Sequence, residues 1–112
     1  MMTLHHKPIV YSVVTVRVPL DEKEPESSRL VGLFVEKENA REIIRNNVGD
    51  IFEYYYRYAV IERVELNRLY PVDTTEPPEW YIWEGSVEDR TAGGYVPCAI
   101  PEKFHNVIGW GF

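Results

Sequence analysis

The apolar and polar positions of this chain change period from stretch to stretch, and each change marks an element. In Ile9 to Val18, IVYSVVTVRV, the residues Val10, Val14, Val16 and Val18 fall on one strand face and Ile9, Tyr11 and Val13 on the other. Apolar residues on both faces predict an interior strand, which Pro19 ends. Arg29 to Val35 is a short apolar run, which suits a buried strand better than a helix. Gly32 within it marks a bulge or the close approach of another backbone. From Glu36 the period becomes helical, with Ala40, Ile43, Ile44 and Val48 on one narrow apolar stripe. Glu38, Arg41, Glu42 and Arg45 lie off that stripe as a nearly neutral ladder. Acidic residues lead and arginines follow, as the helix dipole prefers. The start is weakly capped, because Glu36 or Lys37 stands where Ser, Thr or Asp would serve better. Asn46, Asn47 and Gly49 supply the stop, with Gly49 in the left-handed position past the end.

Asp50 to Tyr56 turns the chain back. Tyr58, Val60, Val64 and Leu66 then alternate with Ala59, Ile61, Arg63 and Glu65, which predicts a strand. Glu62 falls on the more apolar face, so it is expected at a sheet edge or paired with an arginine. Leu20 to Ser28 is a polar loop joining the first two strands as a long hairpin. It is read as a solvated mobile loop in preference to a landing site for a partner. Pro71, Pro77 and Pro78 leave no regular element between Asn67 and Glu79. Trp80 to Trp83, WYIW, reads as a strand with Trp80 and Ile82 on one face and Tyr81 and Trp83 on the other. Aromatics on both faces mean burial on both sides, or one aromatic face left for a partner. Gly85 to Gly94 is a loop, flexible at its Gly93-Gly94 end. Tyr95 to Ile100 is a short strand containing Pro97, hence an edge. Pro101 to Asn106 is irregular, and Val107 to Phe112 is a last glycine-punctuated strand or extended tail.

These elements predict an α+β fold: a single domain over residues 1–112, with an antiparallel-rich sheet of four to six strands and one main α-helix packed on a face. Strands beginning at Ile9, Arg29 and Arg57 form its centre, and residues 1–8 form a loose arm. A chain of 112 residues buries roughly 65% of its extended surface, enough for one core without staples. The periodic 45% hydrophobic content argues against disorder. The single cysteine, Cys98, excludes an internal disulfide framework and fits a reducing cytosol. The opening MMTLHHKPIV has no secretory character, and no run approaches membrane-spanning length. A cytoplasmic protein is therefore expected.

Charge sharpens the picture. The net charge of −6 disfavours nonspecific nucleic-acid binding. Between Leu69 and Asp89 stand Asp73, Glu76, Glu79, Glu84, Glu88 and Asp89, with no lysine or arginine. Trp80, Tyr81 and Trp83 lie among them. Aromatic anchors beside carboxylates form the expected partner-binding set, complementary to a basic surface. The competing reading is a solvated acidic loop beside a buried tryptophan strand.

No P-loop, dinucleotide fingerprint, zinc spacing, HExxH or nucleophile elbow occurs. Adjacent His5 and His6 are read as part of a solvated arm rather than a metal site, and no cofactor is expected. Cys98 and His105 could pair only if the fold joined them and a third group oriented the histidine. An inert buried thiol is the favoured reading. Asp50 and Glu53 could be paired carboxylates, although a helix-exit turn with Asp50 capping backbone amides is favoured. Tyr54, Tyr55, Tyr56 and Tyr58 could stack on bases. Only Arg57 and Arg63 stand near them, so core and rim packing is favoured. With Asp50 and Glu53, these tyrosines form the secondary candidate site.

The pattern Gly32, Phe34, Ala40, Asn47, Gly49, Asp50, Ile51, Glu53, Tyr56, Tyr58, Ala59, Val60, Ile61 and Glu62 resembles that of a family of small proteins of Firmicute and gut-bacterial phages and mobile elements. The resemblance covers about a third of the chain. The family has no assigned activity, and its members often carry Ser or Thr where Glu36 stands. It implies a context rather than a chemistry. The expected function is non-enzymatic: binding and inhibiting a host macromolecule, such as a defence nuclease in the manner of anti-CRISPR proteins. A homodimer is compatible with this. The alternative is a binder that sequesters a nucleotide signal in an aromatic pocket, and a small enzyme comes third.

Overall fold

A computed structural model describes residues 8–18, 27–53, 55–67, 72, 76–86 and 88–104. Five strands and one helix follow in the order β1 (Ile9–Arg17), β2 (Ser27–Phe34), α1 (Lys37–Arg45), β3 (Tyr58–Glu65), β4 (Glu79–Gly85) and β5 (Gly93–Cys98). The strands form one sheet in the order β2-β1-β3-β4-β5, and every neighbouring pair is antiparallel. α1 lies across one face, so the chain is a single α+β domain. Short 3-10 turns occupy Arg90–Ala92 and Glu102–Phe104. Among the described residues no helix is long and apolar enough to cross a membrane.

Alternation along the strands divides the core in two. On the helix side, Val13, Ala59, Ile61, Tyr81, Trp83 and Tyr95 pack with Ala40 and Ile44 of α1 and with Ile51 and Phe52 of the following turn. On the opposite side, Val14, Val16, Val60 and Trp80 pack with Phe104. Trp80 and Phe104 stack at 5.5 Å between ring centroids. β1 is interior, as its two apolar faces predict.

Several expectations change. Among the described residues β2 is an edge strand, not part of the sheet centre, and its burial is only partial. Its run is apolar because one side lies against the helix-side core. Gly32 does mark a bulge, since the β1–β2 register shifts between Val13 and Val14. Of the two settings expected for Glu62, an edge or an arginine partner, the edge is excluded: it lies buried on interior β3, opposite Ser12, whose hydroxyl donates to the Glu62 backbone carbonyl at 3.5 Å. The predicted helical stripe is shorter than expected, with Ala40 and Ile44 buried and Val48 exposed. Gly93 and Gly94 belong to β5 rather than to a flexible loop. A Cβ on Gly93 would lie 2.7 Å from the Trp83 indole, so only glycine lets that ring lie against the strand. The expected N-terminal arm, His105 and the Val107–Phe112 segment lie outside the described residues, apart from Pro8, whose carbonyl accepts from the Leu66 amide at 2.8 Å.

The end of α1 is built by asparagine. The amides of Asn47 and Val48 donate to the carbonyls of Ile44 and Ile43, both at 3.1 Å, which is the Schellman arrangement. Asn47 thus takes the first left-handed position past the cap, at φ 45°, with Gly49 and Asp50 also left-handed at 64° and 56°. Asparagine tolerates this conformation, and here its side chain adds a bond: Asn47 Oδ1 accepts from the Phe52 amide at 2.9 Å. Asn47 Nδ2 donates to Asp50 Oδ1 at 3.2 Å.

Candidate functional site

The acidic stretch is divided by the fold. Glu79 opens β4 and meets Arg41 of α1, whose Nε and Nη2 reach its two carboxylate oxygens at 2.9 and 2.5 Å. Lys37 Nζ lies 2.6 Å from Glu76 and 3.7 Å from Glu79. Arg63 Nε lies 3.3 Å from Glu76. Glu38 accepts from Arg41 at 3.2 Å and also from Arg45. A continuous ladder of alternating charge therefore runs along the helix flank, through Arg45, Glu38, Arg41, Glu79, Lys37, Glu76 and Arg63. Hydrogen bonds from Arg41 hold the Glu79 carboxyl below its usual pKa, aided by the charge of Lys37. The same contact with Glu79 raises that of Arg41. Glu76 and Glu79 are consumed within the molecule, a correction to their place in the expected partner surface.

The aromatic half of that surface is corrected as well. Trp80, Tyr81 and Trp83 are 3%, 5% and 2% exposed, so they cannot anchor a partner. Interior β4 is covered on both sides. Trp83 stacks on Phe52 at 4.2 Å between centroids with the planes 10° apart, and its Nε1 donates to the Ser86 carbonyl at 3.0 Å. Tyr95 closes edge-on against Trp83 at 5.2 Å and donates its hydroxyl to the Tyr56 carbonyl.

What remains at the surface is Glu84, Glu88 and Asp89, all exposed. Asp73 lies outside the described residues. Glu84 and Glu88 have no cationic partner among the described residues. Asp89 caps the 3-10 turn, accepting from the Thr91 amide at 3.1 Å and hydroxyl at 2.6 Å. Those bonds lower its pKa. Glu88 also lines a polar groove of about 570 Å³, together with Arg45, Asn47, Asp50, Thr91 and Gly93. The groove lies between the C-terminal end of α1 and the approach to β5. Asp50 and Glu88, read from the sequence as parts of two separate candidates, thus share one concave surface.

The secondary candidate disperses otherwise. Tyr55 is 58% exposed. Tyr56 lies under the Arg29 guanidinium, 4.4 Å from its ring centroid. Tyr58 packs edge-on against Trp80 and Phe104 on the face away from the helix. Tyr54 lies outside the described residues. These rings form no common stacking platform among the described residues.

Among the described residues no group of three or more His, Cys, Asp or Glu side chains gathers to hold a metal. Cys98 is half-buried rather than fully buried, and burial raises its thiol pKa. It lines a second groove of about 490 Å³ with Arg41, Arg45, Glu79 and Tyr81. Sequence reasoning missed the cationic side of this flank. Lys37, Arg41 and Arg63 come from two separate elements, and only the packing of α1 beside β4 brings them to Glu76 and Glu79.

No family model matches the chain, and no curated protein or solved structure is significantly similar to it.

Proposed function

We propose that this is a non-enzymatic, cytoplasmic binding protein of phage or mobile-element type, which inhibits a host macromolecule by docking an acidic edge on a basic surface. The observation that carries this reading is the sorting of the carboxylates. Glu76 and Glu79 are matched by cations, whereas Glu84 and Glu88 stand exposed without one among the described residues, and Glu88 lines a groove that also presents Asp50. The end of α1 that borders the groove carries the negative pole of its dipole, which favours a cation. An arginine or lysine of the partner would enter there, with the exposed carboxylates of Glu84 and Asp89 steering the encounter. A nucleic-acid-processing enzyme has a surface of the required sign. The resemblance to phage and mobile-element proteins supplies the context. The alternative, nucleotide sequestration in an aromatic pocket, loses support because the tryptophans are spent in packing.

The test uses Glu84→Lys/Glu88→Lys, checked first for an unchanged melt. Both proteins are used to capture partners from bacterial lysate, and association with the captured nuclease is timed at low and moderate salt. The double variant should associate at least about tenfold more slowly at low salt, with the gap closing as salt rises. Equal rates at both salts would remove the acidic edge as the binding surface. A small molecule in the native mass spectrum would instead favour the sequestering reading.

A further inference from the structure

Among the described residues, β2 and β5 are the two edges of the sheet, and they differ in kind. β5 has six residues and contains Pro97, which takes a backbone donor out of any further ladder. β2 has eight residues and no proline. Leu30 and Leu33 are 41% and 48% exposed, and Val35, just past the strand, is 77% exposed. The one charged residue in the strand, Arg29, is turned inward, its Nη2 2.8 Å from the Ile51 carbonyl and its guanidinium over Tyr56. An apolar edge of this length is a template for pairing with another strand.

The bulge decides which strand fits. The register places Arg29, Gly32 and Phe34 on the helix side, opposite Thr15, Val13 and Tyr11. Val31 also packs there. Leu30 and Leu33 lie opposite Val14 and Ser12, on the other side. Without a bulge, residues three apart would point to opposite faces. With it, the order of faces reads the same in both directions from a point between Val31 and Gly32. Reversing the strand about that point brings Leu30 opposite Leu33, and like faces meet along the whole length. A two-fold interface requires this self-complementarity. Centring the reversal on a single residue near the bulge would set opposite faces together. Charge points the same way. Each copy carries −6, and β2 itself brings no carboxylate to the seam.

We propose that β2 is a self-recognition edge, joining two copies of the chain as antiparallel strands about a two-fold axis between Val31 and Gly32. The ladder is interrupted at the axis and formed on either side of it. Two symmetric Leu30–Leu33 pairs close the seam on the face away from the helix. Strand pairing alone lies at the small end of specific interfaces, so the dimer should dissociate at roughly 1–100 µM. The polar groove lies towards the β5 edge, so dimerisation leaves it open.

Sedimentation velocity of the full chain across that concentration range tests the proposal, with each variant first checked for an unchanged melt. Wild type should pass from monomer to dimer. Leu30→Lys or Leu33→Glu alone should weaken association by about tenfold or more, since each sets a charge against a leucine across the seam. Leu30→Lys/Leu33→Glu in one chain should restore it, because each introduced lysine then faces an introduced glutamate of the other copy, in two symmetric pairs. Glu84→Lys/Glu88→Lys should leave it unchanged, which separates this proposal from the one above. A wild type monomeric throughout, single variants that dimerise normally, or a double variant no better than the singles would each overturn it.

Discussion

Arg41 grips Glu79 through two nitrogens, at 2.9 and 2.5 Å, and so ties the middle of the helix to the first residue of β4. The contact anchors the helix across the sheet and occupies both carboxylate oxygens of Glu79. Both side chains are about one-third exposed, at 34% and 29%. Water therefore screens the pair, and its contribution should be within about 1 kcal/mol.

Its pH dependence has a definite sign. The Glu79 pKa is lowered in the folded state from an ordinary 4.5. The stabilisation is therefore complete above about pH 4.5 and is lost as pH falls through the lower folded value. The melting-temperature difference between wild type and Glu79→Gln should be constant from pH 7 to pH 5 and should shrink below pH 4.5. A difference that grows on acidification would contradict the assignment.

Trp83→Ala should act on folding rather than on partner release. The ring is 2% exposed and stacks on Phe52. Its loss should cost about 3–5 kcal/mol, a large part of a typical domain's stability. Chemical denaturation would measure this directly. A variant that melts like wild type would return Trp83 to the surface.

The two isoleucines of α1 should separate. Ile44 is fully buried, whereas Ile43 is only partly so. Ile44→Asp should abolish the cooperative thermal transition, because it buries an uncompensated charge. Ile43→Asp should retain a transition at lower temperature. Equal effects would mean that the helix is rotated from the position described.

Asn47 offers a test of backbone strain. Asn47→Ala and Asn47→Gly both lose the bond from the Phe52 amide, but only glycine adopts φ 45° without penalty. The alanine variant should be less stable than the glycine variant by about 1 kcal/mol in urea denaturation.

Periodicity alone determined the elements. The alternation of β1, the helical spacing of Ala40 and Ile44 and the WYIW run each follow from the geometry of a single segment. Pro97 marked an edge because a missing donor is a local fact. Gly32 marked the bulge because a residue without a side chain weakens a strand wherever it lies. Placement was another matter. The apolar run of β2 reads the same whether one side or both sides of the strand are covered, so the sequence could not reveal that β2 ends the sheet. Nor could it separate a buried tryptophan strand from an exposed one, since the indole is apolar and polar at once. The acidic stretch looked uniform because its counter-charges, Lys37, Arg41 and Arg63, lie far away in the chain. Ion pairing depends on distance in space, and only the fold set those cations beside Glu76 and Glu79 and left Glu84 and Glu88 at the surface.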